Sequence, residues 1–332
     1  MREKLYEYDL NLESGSLEYA NADWLERYII YRTVWQNGRL KKSELPLVSR
    51  YAAETSGNGT YKSLYDPDGS GYSAYPLTHS IYKRLWDWEK GADTLGKIQG
   101  GAFSCEFGGD TMNSVQTALG RIIDNLSRKN GWDELLGNTK IWLSSDVFTI
   151  NLYLNKADEM REALEDIAGL KEYICCYTTI GNFCLVPSMF NGERGKNRQL
   201  CDYWDRSLEY LHSNGWQETF SSRDFYRYVN YFFLWEWIDS SGKVELLSDD
   251  LNSIEDYSRF FQRSARKIRR RGIFMSAMLE IADKYPHLYS DIKQRIMLQG
   301  NTVCSGFDEA LDLADSEAKD IVGQYKSLLG QE

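Results

Sequence analysis

YTTIGNFCLVPSMFNGERGKN, residues 177–197, is the stretch from which we predict the fold. It contains two apolar, strand-like pieces around the pair Gly181-Asn182, then a proline and a polar Asn-Gly-Glu-Arg-Gly loop. A Gly-Asn pair between two such pieces is typical of a β-hairpin, because both residue types tolerate a positive φ. We therefore expect a central β-hairpin over residues 173–187, with Asn182 at the corner of its turn.

Outside this stretch the chain has the 3.6-residue apolar period of amphipathic helices. The helical pattern covers residues 22–36, 78–90, 110–126, 157–170, 200–212, 222–238, 253–271, 273–284, 288–298 and 307–329. Asp110 and Ser253 are expected N-caps, Gly272 is an expected helix stop, and residues 140–154 are expected to contain a strand. The predicted fold class is α+β and mainly helical, with a small central β-hairpin or sheet packed by many helices.

One segment divides the chain. Residues 56–73 are rich in Gly, Ser, Asp and Tyr, a composition typical of flexible loops. We therefore predict an N-terminal extension over residues 1–74, which contains the helix 22–36, and a main domain over residues 75–332.

The overall charge limits the partners that the protein can bind. With 49 acidic and 39 basic residues, the chain of 332 residues has a net charge of −10. This charge disfavours indiscriminate binding to nucleic acid or to an anionic membrane, but it leaves room for a local basic patch. No secretory signal and no apolar run long enough for a membrane span is found, which predicts a cytoplasmic protein without membrane contact. The sequence leaves the oligomeric state open.

Six cysteines raise the question of a zinc site. Four of them fall between residues 175 and 201, but Cys175 and Cys176 are adjacent, which is poor geometry for two tetrahedral ligands, and no CxxC motif occurs. We expect buried thiols, and structural zinc is not expected.

The polar loop and the start of the 110–126 segment are candidates for a catalytic site. Asn182 and Asn191 are either turn residues or groups that shape a site, while Arg194, with Lys196 and Arg198, supplies positive charge. Asp110 follows Gly108-Gly109, where free backbone N–H groups at a helix start could receive a phosphate. Ordinary capping explains the same pattern, and spacing alone leaves both interpretations open.

Asp202 and Asp205 stand three residues apart at the predicted start of a helix. On a helix they would be surface neighbours, close enough to share a divalent metal ion such as Mg²⁺. Acidic residues are also favoured in a first helical turn by the helix dipole alone.

The strongest charge feature is a run of cations without an intervening acid between residues 259 and 271. A basic helix face is either solvated or a surface that binds nucleic-acid phosphates. The members expected to bind phosphate are Arg263, Arg266, Lys267, Arg269, Arg270 and Arg271; Arg259 begins the same run.

Four fragments together resemble an uncharacterised bacterial family, a domain of unknown function. They are GGDTMNS (108–114), YTTIGNFCLVPSMFN (177–191), DYWDRSL (202–208) and IRRRG (268–272), and their span covers roughly residues 75–279. The resemblance implies no activity.

The TIGN segment is also similar to the HNH nuclease half of GmrSD-type restriction enzymes. This resemblance would match Gly181-Asn182-Phe183 to a strand of those enzymes and Asn191 to a loop asparagine. It implies a metal-dependent nuclease. The sequence departs from that pattern because no Asp-His or Glu-His pair precedes Thr179.

From these features we expect a nucleic-acid-directed bacterial protein. The most specific version of this hypothesis is a divergent HNH-like nuclease of phage defence or a mobile element. A non-catalytic module that binds another protein is the alternative. An enzyme acting on a small phosphorylated molecule through Asp110, Thr111 and Arg194 is a third hypothesis.

Overall fold

The computed structural model describes residues 22–35, 76–91, 95–132, 145–196, 202–213, 222–298, 306–314 and 317–332. Within these ranges the chain is a mainly helical α+β protein with a four-stranded antiparallel sheet, which confirms the predicted fold class. The predicted loop 56–73 lies outside the described residues, as does most of the predicted extension 1–74.

The elements are numbered in chain order, strands and helices separately. The strands are β1 (Trp88–Lys90), β2 (Gly96–Ile98), β3 (Phe107–Thr111) and β4 (Phe183–Pro187). The helices are α1 (Trp24–Trp35), α2 (Pro76–Trp86), α3 (Val115–Asn130), α4 (Ser145–Glu165), α5 (Leu170–Cys176), α6 (Phe190–Lys196), α7 (Trp204–Ser213), α8 (Ser222–Tyr231), α9 (Ile254–Lys284), α10 (Pro286–Leu298), α11 (Phe307–Asp312) and α12 (Lys319–Leu329). Single 3₁₀ turns occupy Gln99–Gly101, Ile180–Asn182 and Trp235–Trp237.

The predicted central hairpin over residues 173–187 is wrong. Its first half lies largely in helix α5, Gly181-Asn182 lies in a 3₁₀ turn, and only β4 is a strand. The partner of β4 is the distant strand β3, with Asp110 opposite Cys184 in the antiparallel register. A short apolar run fits a buried helix turn as well as a strand, so periodicity alone could not separate the two.

Two further expectations are wrong, and a third is wrong over the residues that the structure describes, because local pattern competes with tertiary packing. The expected strand in 140–154 is helix α4 from residue 145 onward; residues 140–144 lie outside the described ranges. Asp110 belongs to β3 and caps no helix, since α3 begins after Ser114. No helix ends at Gly272, because α9 continues through it without a break.

Helix α9 organises the core. Its start confirms the Ser253 cap, with a reciprocal capping box between Ser253 and Asp256. Along its 31 residues it packs against α2, α5, α10, α12 and the 180–182 turn.

Helix α1 packs on α4 and α5, so the described part of the predicted N-terminal extension lies against helices of the predicted main domain. Within the described ranges, every helix is too short or too polar to cross a bilayer.

Candidate functional site

Three of the predicted site residues meet in one cluster, which we call the Arg194 clasp: Asp110, Arg194 and Asp202. Arg194 Nη2 lies 2.9 Å from Asp110 Oδ2, and Arg194 Nε lies 3.2 Å from Asp202 Oδ1. Strand β3 supplies Asp110, the short helix α6 supplies Arg194, and Asp202 precedes α7 with a φ of 54°. The clasp therefore ties three segments that are far apart in sequence.

The Arg194 clasp is buried except at Asp202. The side chains of Arg194 and Asp110 are 3% and 4% exposed, while Asp202 at the solvent edge is 37% exposed. Both terminal nitrogens of Arg194 also donate to the Thr111 carbonyl, at 3.3 and 3.2 Å. With two carboxylates around one guanidinium, the cluster carries one net negative charge, which makes it a poor receptor for a phosphate.

Asn182 is wholly buried, and both the nitrogen and the oxygen of its side chain are hydrogen-bonded within the protein. Its Nδ2 donates to the carbonyls of Tyr177 (2.8 Å) and Asn113 (3.2 Å), and its Oδ1 accepts from the Asn113 N–H at 2.9 Å. Its φ is negative, so the predicted turn role is wrong. Asn182 instead fixes the link between β3 and α3, and Asn113 Oδ1 extends that link by accepting from the Trp204 N–H at 2.9 Å.

Gly181 has a steric role that the Gly-Asn motif did not suggest. A Cβ placed on it would lie 2.0 Å from the Ile268 carbonyl oxygen and 2.9 Å from the Gly272 nitrogen, both backbone atoms of α9. Glycine is therefore needed for the close approach of the 3₁₀ turn to the helix.

We expect Gly181→Ala to lower the free energy of unfolding by about 1–3 kcal/mol, because the turn must move away from α9. Urea unfolding measures this difference. Gly192→Ala is the matched control: no atom lies within 4 Å of its added Cβ and the residue is helical, so the change should be neutral or slightly stabilising. Equal stability of the two variants would contradict the steric role of Gly181.

The predicted metal pair does not act as a pair. Asp205 is 2% exposed and accepts from both the N–H and the hydroxyl of Ser248, each at 2.7 Å, whereas Asp202 faces Arg194. Ser248 was missed by the sequence analysis, because nothing local links it to Asp205. In the described ranges, no group of three or more His, Cys, Asp or Glu side chains is placed to hold a metal ion. Cys201 and Cys304 lie outside those ranges.

Some predicted residues cannot be placed. Arg198 lies outside the described residues, and so do the side chains of Asn191 and Lys196. The expected buried thiols are present at Cys176 and Cys184, whereas Cys175 is exposed and Cys105 is half-buried. Burial raises the pKa of Cys184 to about 11, although the charge of Arg271 lowers it.

Arg271 does not belong to a phosphate-binding surface, and this part of the prediction is wrong. Its side chain is wholly buried and donates to the carbonyls of Gly181, Phe183 and Phe232 at 2.7–3.2 Å. Its guanidinium carbon also lies 5.7 Å from the ring centre of Trp86. Burial lowers the pKa of Arg271. This arginine joins α9 to β4 and to the end of α8.

The other cations of the run lie on α9 outside the wholly buried position of Arg271, and we call them the basic ridge: Arg259, Arg263, Arg266, Lys267, Arg269 and Arg270. Acids contact most of them, in the pairs Arg259–Asp256, Arg263–Glu245, Lys267–Glu245, Arg269–Glu332 and Arg270–Glu236. Arg266 is exposed, and within the described ranges it has no ion pair. Lys267 and Arg270 are mostly covered, so the four other arginines make up the accessible part of the ridge.

A cavity of about 500 Å³ lies elsewhere, among the end of α3, α4 and the start of α9. Leu126, Trp132, Glu159, Ile167 and Ile254 are among its lining residues. It contains none of the predicted site residues, so the clasp and the ridge do not border it.

Comparison with protein-family models, curated proteins and solved structures finds no match of any of these three kinds. Within the structure, the four fragments quoted for the family resemblance contact one another: Asn113 bonds to Asn182 and to Trp204, and Arg271 bonds to Gly181. These contacts form one continuous interior network.

Proposed function

We propose that this protein binds the phosphate backbone of nucleic acid through the basic ridge of α9. The observation that supports the proposal is that four solvent-facing side chains on one stretch of a rigid helix are all arginine. Arg259, Arg263 and Arg269 have side chains 71%, 52% and 38% exposed, and Arg266 is exposed as well. Arginine presents a planar fork that matches phosphate oxygens better than the ammonium of lysine.

The spacing of these arginines suits an extended polyanion. They follow one another at intervals of four, three and three residues. At a rise of about 1.5 Å per residue the row is about 15 Å long, which corresponds to about four base pairs of duplex. We therefore expect up to four phosphate contacts. The rest of the chain is strongly acidic, which would confine a polyanion to this face.

The acids beside the ridge are compatible with the proposal. Ion pairs between exposed side chains contribute about 0–1 kcal/mol, so phosphates can replace these carboxylates. In the Arg259–Asp256 pair the arginine is 71% exposed and the acid 21%, and Asp256 keeps its capping bonds to Ser253 when the arginine turns to a phosphate.

The proposal is confined to binding, because the side chains expected to act in catalysis are engaged with the protein itself. Asn182 holds backbone groups, and Arg194 holds Asp110, Asp202 and Thr111. These contacts favour a structural role for both side chains. A hydrolytic step that uses them would require the clasp to open.

The test is fluorescence anisotropy with a labelled duplex of about 30 base pairs at salt concentrations from about 50 to 200 mM. Four contacts predict that log K falls with log[salt] with a slope of about −3.6, and Arg266→Gln should reduce that slope by about 0.9. The triple change of Arg259, Arg263 and Arg266 to Glu should abolish binding.

Arg128→Glu is the matched control, since Arg128 is an exposed, ion-paired arginine on α3, outside the ridge. It should weaken binding less than twofold, because an arginine paired with Asp124 on another helix adds no contact to the row on α9. Binding that is independent of salt, or an equal loss in the control and in the triple variant, would overturn the proposal.

A further inference from the structure

We infer that Glu245 is a built-in competitor for phosphate that keeps part of the basic ridge neutralised until nucleic acid displaces it. This inference rests on the proposed function. Glu245 is the one residue in the described ranges whose carboxylate contacts two ridge cations: one oxygen contacts Arg263, and the other lies 2.7 Å from Lys267 Nζ, which also donates to the Glu236 carbonyl. The two cations stand one helical turn apart, so a single carboxylate spans the middle of the ridge.

The backbone holds Glu245 in this position. Its N–H donates to the Trp237 carbonyl at 2.8 Å, beside an antiparallel bridge between Ile238 and Val244. The Asp239 N–H closes the same loop by donating to the Lys243 carbonyl at 2.7 Å. The carboxylate is therefore presented to α9 from a braced loop, so its ion pairs require ordering of the side chain but little further ordering of the backbone.

The carboxylate is charged when it occupies the ridge. Burial alone would raise the pKa of Glu245, but the hydrogen bond from Lys267 and the charges of Lys267 and Arg263 lower it overall. The side chain is 35% exposed, which leaves it accessible to solvent and free to rotate away once phosphates approach. A polyanion that binds here must first separate Glu245 from both cations.

Glu245→Gln should therefore strengthen duplex binding, because it keeps the shape of the side chain and removes its charge. We expect about a fivefold gain in affinity, the size of an exposed or partly exposed charge pair. The salt slope should change by less than about one, because Arg263 is already among the four contacts and Lys267 stays mostly covered. Anisotropy titrations over the salt range used for the ridge measure both quantities.

Glu255→Gln is the matched control. Glu255 is an exposed acid in the first turn of α9, and within the described ranges no ion pair or hydrogen bond of its side chain is found. Its replacement removes the same charge from the same helix without freeing a cation. Affinity should change less than twofold, with an unchanged salt slope.

The outcomes separate the two proposals. If the unsubstituted protein binds duplex but Glu245→Gln matches Glu255→Gln in affinity and slope, the competitor role is wrong and the ridge proposal stands. If neither the protein nor Glu245→Gln binds, the proposed function itself fails. If Glu245→Gln alone binds, both the ridge and its competitor are supported.

Discussion

Replacing Arg271 with methionine should lower the free energy of unfolding by about 3–5 kcal/mol, one of the two largest effects we expect in this protein. The guanidinium is wholly buried and donates to three backbone carbonyls, those of Gly181, Phe183 and Phe232. Methionine has a similar length but no donor, so all three oxygens lose this partner in a place where water does not reach. Each buried acceptor left unsatisfied costs about 1–3 kcal/mol.

The loss of stability on replacing Arg271 follows from the groups that its guanidinium contacts. When two charged side chains are buried together, both can be replaced by apolar residues at little cost. The partners of Arg271 are main-chain carbonyls, which no substitution removes. The loss should therefore persist in any apolar variant at this position.

Urea unfolding of Arg271→Met against Arg266→Met gives the measurement. Both residues lie on α9, but Arg266 is exposed, and its change should stay within about 0.5 kcal/mol. A difference of less than about 1 kcal/mol between the two variants would show that the carbonyls find other donors.

Arg271 also shows which part of the site could be predicted from sequence. In the run 259–271 every cation looks alike, yet α9 turns by about 100° per residue and buries one face. Phe261, Ala265, Ile268 and Met275 lie on that face, and a continuous helix places Arg271 with them. The predicted helix 253–271 already had this phase, but its expected end at Gly272 made Arg271 a cation of the last turn, where the helix dipole alone favours positive charge.

Long-range pairing explains most of the other differences. The helical period, the Ser253 cap and the mainly helical class are local properties, and they could be predicted from the sequence. The partner of β4 is not local: β3 and its Asp110 come from far upstream, and the described residues between the two strands include the helices α3, α4 and α5. The sequence could suggest that Asp110, Arg194 and Asp202 share a site, but it could not show that Arg194 would form ion pairs with both carboxylates.

Arg194→Met should likewise lower the free energy of unfolding by about 3–5 kcal/mol, because it removes the arginine partner of the buried carboxylate of Asp110. The Thr111 N–H at 2.8 Å still donates to that carboxylate, but it carries no full charge. Circular dichroism or fluorescence in urea measures the loss. Asp202→Asn is the first control: its side chain is 37% exposed, so its change should cost about 1 kcal/mol or less.

The double variant Arg194→Met, Asp110→Asn decides whether the loss comes from the unpaired charge. If it does, the neutral amide should recover at least about 1 kcal/mol relative to Arg194→Met alone, a coupling that a double-mutant cycle resolves. Without such recovery, the loss would come from the packing of the arginine and its bonds to Thr111. The clasp would then tie α6 to β3 chiefly through the backbone, and Asp110 would contribute little to it.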